Sequence, residues 1–221
     1  MFSLIKNIVT ILLFLVSMVK TINATTYHKF ELMKNHNKIE VLLSKGEFFG
    51  EGYVKGFFSN ILGEINFSAD EPSSTNGKVL IDARSLYFGY HKVNGDAKKG
   101  TWLNVGEFPQ IIYKLNNLEN VQWYNDIIKA DAQGTLSLKN LSRQISFPVI
   151  IKYTPAMRKK FDGKQGDLLF LKGEFELSRG SIGINPGNML NIIKDSVHIK
   201  ISMVGFTQNR RPLLPSKLFL R

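Results

Sequence analysis

The sequence predicts an all-β domain, one antiparallel sheet curled into a barrel or folded into a sandwich, and three observations predict it. Ala130, Ala132, Gly134, Leu136 and Leu138 alternate with Asp131, Gln133, Thr135, Ser137 and Lys139, and Ile145, Phe147, Val149, Ile151 and Tyr153 resume the same alternation. A period of two gives a strand one dry face and one wet face. Similar runs recur along most of the chain, separated by Gly, Asn, Asp and Pro turn residues. No strand–helix–strand rhythm is visible, which argues against a parallel sheet.

The elements follow in chain order. Lys6 precedes an apolar run of 12 residues, Ile8 to Val19, broken only by Thr10 and Ser17, and Ile22-Asn23-Ala24 ends on a small residue. That is the form of a secretory signal peptide over residues 1–24, and the run is short for a membrane span. Its removal leaves 197 residues with net charge +9, because it carries Lys6 and Lys20 and no acid. Strands are expected near 27–33, 39–45, 51–58, 63–68, 77–83, 110–116, 127–138, 145–153, 167–178 and 195–206. Asn140-Leu141-Ser142 supplies the turn of the central hairpin, since Asn tolerates the left-handed conformation. Inward phases are Val79, Ile81 and Ala83; Ile111, Tyr113 and Leu115; Leu169, Leu171, Gly173, Phe175 and Leu177; and Val197, Ile199, Ile201 and Met203. Ser85 to Pro109 breaks the alternation and carries four glycines, so it reads as a short helix or an irregular excursion over one end of the barrel. Residues 25–207 form one domain in this reading, and 208–221, with Arg210-Arg211-Pro212, is a poorly ordered tail.

Composition narrows the function. The chain is basic, +11 over its whole length. Lys114, Lys139, Lys152, Lys172 and Lys200 fall on the outward phase of strands, as a solvated surface would, rather than in a nucleic-acid stripe. There is no cysteine, hence no disulfide, thiolate metal site, catalytic thiol or lipoprotein attachment point. The four histidines, His28, His36, His91 and His198, lack His-x-x-x-His or His-Glu-x-x-His spacing. Gly180-Ser181-Ile182-Gly183 is not a nucleophile elbow, and Gly163-Lys164 is not a phosphate loop. The expectation is a binding protein without a cofactor, not an enzyme. An eight-stranded barrel is wide enough to be filled by side chains or to hold one small apolar ligand, and the many phenylalanines suit either outcome.

Several blocks carry a resemblance. Val54-x-Gly56-x-Phe58 with Ile61-x-Gly63-x-Ile65-x-Phe67, then Gly77 to Leu86, Trp102 to Tyr113, Gly134-x-Leu136-Ser137-Leu138 and Arg179-Gly180-Ser181-Ile182-Gly183-Ile184 resemble, in order, conserved runs of the YceI-like family. The resemblance implies an extended lipocalin-like antiparallel β-barrel of about eight strands. It also implies a bacterial, periplasmic, non-enzymatic protein that binds a polyisoprenoid or similar long-chain lipid, such as an isoprenoid quinone or polyprenyl phosphate. The expected ligand-binding set is Phe58, Ile81, Trp102, Ile111, Tyr113, Leu136, Leu138, Phe147, Val149, Ile151, Phe175, Leu177, Arg179, Ile199 and Ile201. Arg179, Lys98 and Lys99 are the candidates for a polar head at the barrel mouth, and for Arg179 a structural bond to a carboxylate or to turn carbonyls stands as the competing role. The family's Arg and His before its Tyr-Pro run are absent from Asn94 to Thr101, where only Asp96 matches, so a different head group or none is expected. The partners expected are the lipid, an anionic membrane surface and a second copy in a homodimer, with no nucleic acid. The competing reading is a solid-core barrel that docks on anionic membrane or an acidic protein through its basic surface.

Overall fold

The computed structural model describes residues 27–208. The expected signal peptide and all but the first residue of the tail lie outside them.

Ten strands form one antiparallel sheet: β1 (His28–Leu32), β2 (Lys38–Lys45), β3 (Tyr53–Phe58), β4 (Ile61–Phe67), β5 (Asn76–Asp82), β6 (Gln110–Tyr124), β7 (Ile127–Leu138), β8 (Leu141–Thr154), β9 (Leu168–Ser178) and β10 (Ile193–Phe206). The order β1-β4-β5-β6-β7-β8-β9-β10 closes on itself through β1–β10, an eight-stranded ring, and β2 and β3 continue from β10 as extra strands. Register explains the arrangement. Both β1 and β2 run antiparallel to β10, with Leu32 opposite Gly205 and Ile39 opposite Ile201, so they share one edge of β10 end to end. β4 and β3 follow in the same way, on β1 and β2 respectively.

The step from β1 to β2 is held by Asn37. Its buried side chain donates to Met33 O (2.9 Å) and accepts from Val204 N (3.0 Å), doing what a strand backbone would do there. Replacing Asn37 by alanine leaves the buried Val204 N–H unpaired, and urea denaturation should show a loss of about 2 kcal/mol.

Two strands are longer than their alternation suggested. β6 runs to Tyr124 because bulges between Leu115 and Asn117 and between Glu119 and Gln122 shift its register and hide the period. β8 begins at Leu141, since the polar stretch Ser142 to Gln144 pairs with Ser137 to Thr135. The hairpin turn is therefore Lys139-Asn140, and it is Lys139, not an Asn, that takes the positive φ, at 54°. The excursion after β5 contains α1 (His91–Lys98), and a second short helix, α2 (Arg158–Asp162), carries the basic cluster after β8. There Arg158 is buried, with its guanidinium 3.9 Å from the Phe206 ring centre and 3.1 Å from Asp162, so it is a packing residue.

The lower half of the barrel is solid. Phe30, Phe67 and Tyr153 meet edge-on or tilted at 5.7–6.2 Å, with Ile128, Ile151, Leu118 and Leu169 around them. The Tyr153 hydroxyl donates to the buried Asp167 (2.9 Å), which also accepts from Ala156 N (2.7 Å). His28 is buried at the same end. Burial holds its imidazole below the ordinary 6.5, against a smaller opposing pull from Asp167. The unfolded chain therefore takes up this proton first, so stability falls as pH drops through 6.5 and levels off below the folded value. Denaturation midpoints compared between about pH 7.5 and about pH 5.5 should show this fall, and His28→Phe should flatten it.

Candidate functional site

The upper half of the barrel is hollow. Its wall comes from the inward positions of the strands, where alternation delivers one apolar side chain every second residue. Tyr113, Leu136, Ile145, Phe175, Leu177, Ile199 and Ile201 point inward, yet each keeps part of its surface accessible, and that surface is the chamber wall. The chamber has a cavity volume of about 150 Å³. That is smaller than typical ligand sites, roughly 300–1,000 Å³.

The expected ligand set divides cleanly. Val149 and Ile151 are corrected: both are buried below the chamber, in the solid half, and do not reach the wall. Their alternation is the same as that of Phe147, and only height along the strand separates core from chamber. The others, Phe58, Ile81, Trp102, Ile111, Tyr113, Leu136, Leu138, Phe147, Phe175, Leu177, Arg179, Ile199 and Ile201, line it. The barrel is thus packed below and open above.

The chamber floor is aromatic. Phe147 stacks on Phe175 (centroids 4.2 Å, planes 16° apart) and meets Tyr113 at 5.3 Å. Gly134 makes this packing possible, because a Cβ there would lie 2.5 Å from the Tyr113 hydroxyl. That hydroxyl donates to Ala132 O (3.3 Å), and burial pushes the phenol well above its usual range.

Two loops roof the chamber. Segment 83–109 leaves β5 and returns to β6, and between them it covers the edge of β3, meeting it at the single bridge Phe57↔Tyr87. Phe88 lies flat against β3 at Gly56, where a Cβ would come within 2.5 Å of its ring, and Leu86, Ala97, Trp102 and Leu103 also line the chamber. The second loop, 179–192, contributes Ile182 and Ile184. Asn185 N donates to Thr101 O (2.9 Å) and joins the loops. Lys139 reaches across from the β7–β8 turn to Trp102 O (2.9 Å), Gly183 O (3.3 Å) and Gly100 O (3.4 Å). Lys139 is therefore half-buried and structural, not the solvated lysine its strand phase suggested.

Arg179 settles between its two roles in favour of structure. It is fully buried, and its guanidinium donates to the carbonyls of Lys194 (3.2 Å), Ile184 (3.1 Å), Asn185, Asn188 and Ile193 (3.2 Å). A guanidinium has five N–H donors, and here they are spent on the loop it anchors. Its plane lies 5.4 Å from the Trp102 ring centre, and burial lowers its pKa. Lys99 pairs with Asp96 (3.2 Å) on the surface, and neither it nor Lys98 lines the chamber. Sequence reasoning missed Ile39, Val41 and Leu43 of β2 and the roof residues Leu86, Phe88 and Leu103. The β2 set could have been found from Ile39-x-Val41-x-Leu43 alternation; the roof has no period to read. Among the described residues no cluster of His, Asp and Glu gathers as a metal site would require.

A closed antiparallel barrel, aromatic below and hollow above under a loop roof, belongs to the lipocalin-like class of β-barrels. The model of the YceI-like domain matches residues 30–205, and the chain belongs to that family. Among solved structures it is similar to BcnA of Burkholderia cenocepacia (16% identity, TM-score 0.64, covering 78% of this chain and 98% of that one). It is also similar to a polyisoprenoid binding domain from Saccharophagus degradans implicated in plant cell wall breakdown (11%, TM-score 0.60, 82% and 99%). A third is the YCEI protein of Campylobacter jejuni (15%, TM-score 0.61, 72% and 88%). A search of curated proteins found no match.

Proposed function

We propose that this protein is a carrier, exported to the periplasm, that sequesters one long apolar chain of the polyisoprenoid class with an uncharged head group. The observation that carries the reading is the chamber wall, apolar except for the indole of Trp102, the Tyr113 hydroxyl, which donates to Ala132 O, and Arg179, whose donors are already committed to carbonyls. A phosphate head inside would find no free cation, and burying an unpaired charge is prohibitive. A quinone or alcohol head loses far less. The Saccharophagus domain of the same fold, described as polyisoprenoid-binding, supports the chain class.

Solvent exclusion supplies the affinity. Each buried CH₂ gains about 0.8 kcal/mol, so an isoprene unit gains roughly 3–4 kcal/mol before ordering costs. Two or three units reach about micromolar binding. The test is a titration of Trp102 fluorescence with isoprenoid quinones of increasing chain length. Affinity should climb with each unit and then plateau once the chamber is full, and polyprenyl phosphates of equal length should bind more weakly. Equal affinity for every length, or a preference for the phosphates, would overturn the reading.

A further inference from the structure

We infer that the protein meets its lipid at an anionic phospholipid bilayer, through an apolar tip formed by two neighbouring turns, Phe48-Phe49 and Met189-Leu190. This rests on the carrier reading above and adds the surface at which the chain is exchanged. Phe48 and Phe49 are 78% and 62% exposed, and Met189 and Leu190 are each 46% exposed. They come from different loops that are locked side by side: Gly46 N donates to Ile192 O (2.8 Å) and Phe48 N to Asn191 O (3.1 Å). Gly46 allows the approach, since a Cβ there would sit 2.2 Å from the Asn191 carbonyl carbon.

The position of the tip argues for its occupant. Leu43 and Val197, which line the chamber, lie on the strands that lead into these two turns, and Ile184 lies in the loop that carries the second. The tip is therefore continuous with the end of the barrel that is hollow, not the end that is solid. It consists of two short apolar turns held side by side, a form that suits shallow insertion among acyl chains. Lys45 and Lys194 flank it alongside Glu47 and Glu51, so the tip itself is nearly neutral, and the net charge of +9 left after removal of residues 1–24 supplies the longer-range attraction to an anionic surface. Exposed Phe and Leu side chains beside charged ones are the composition of a segment that lies in a membrane interface.

The test pairs two loading assays on the native protein and the double variant Phe48→Ser, Phe49→Ser. In the first, isoprenoid quinone is presented in detergent micelles; in the second, it is embedded in sedimentable vesicles of phosphatidylethanolamine and phosphatidylglycerol. The expected result is equal loading from detergent, with binding to vesicles and uptake from them reduced about tenfold or more in the variant. Equal vesicle binding and uptake by both proteins would overturn the inference, as would vesicle binding that salt abolishes and the serines leave unchanged. A native protein that self-associates through these residues, shown by a variant that is smaller in solution, would overturn it in favour of a second copy. Failure of the native protein to load from detergent would instead sink the carrier reading, independently of the tip.

Discussion

Arg179→Ala is expected to lower the stability of the protein by about 3–4 kcal/mol, since the hydrogen bonds of a buried charged group contribute roughly 1.5–3 kcal/mol each and the freed loop recovers part of the loss by hydration. Five backbone carbonyls between Ile184 and Lys194 accept from this one side chain, so no neighbour can replace it. The expected consequence is local as well as global. Loop 179–192 should become open to proteolysis at low denaturant, and Ile182 and Ile184 should leave the chamber wall. Arg179→Lys should recover little, because an ammonium has three donors on a point and cannot span carbonyls arranged around a plane. Urea denaturation gives the stability change and limited proteolysis the loop. An alanine variant as stable as the native protein would mean the carbonyls find other partners and the arginine is free for a ligand after all.

The second large effect is on occupancy. Ile199→Trp on β10, or Leu136→Trp on the far wall at β7, should fill the chamber from one side. Both residues line it and both retain accessible surface inside the barrel, so there is room for added volume. Overpacking a tight core costs about 1–3 kcal/mol; here the cost should fall at or below the low end of that range. Displacing even one isoprene unit removes roughly 3–4 kcal/mol of burial, more than a hundredfold in affinity. The pairing of near-native stability with lost binding is what separates a container from a core. If the tryptophans unfold the protein, the space was needed by packing; if binding survives, the chain sits elsewhere.

Much of this architecture was legible in the chain. Strict alternation in β7, β8, β9 and β10 gave both the strands and the side chains that face inward, because a pleat leaves no other choice of face. Where alternation is interrupted, legibility ends. The bulges of β6 concealed its second half, and Asn37, which falls between two expected strands, is the link that lets β1 and β2 share one edge of β10. Val149 and Ile151 show the limit most directly. Their pattern is indistinguishable from that of Phe147, yet they sit in the solid half, and height within a barrel is a property of register across eight strands that no local window contains. Arg179 and Lys139 were misjudged or left open for a related reason. A cation near a turn reads equally well as a ligand contact or a clamp, and only the carbonyl positions of a folded loop decide it.

The most direct measurement is native mass spectrometry of the protein recovered from an exporting bacterial cell, beside the Ile199→Trp variant prepared in the same way. The account predicts one discrete adduct on the native protein that extracts as an uncharged polyisoprenoid, and its absence from a folded variant. An adduct of equal abundance on both proteins, or none on the native protein even after incubation with isoprenoid quinone, would contradict it.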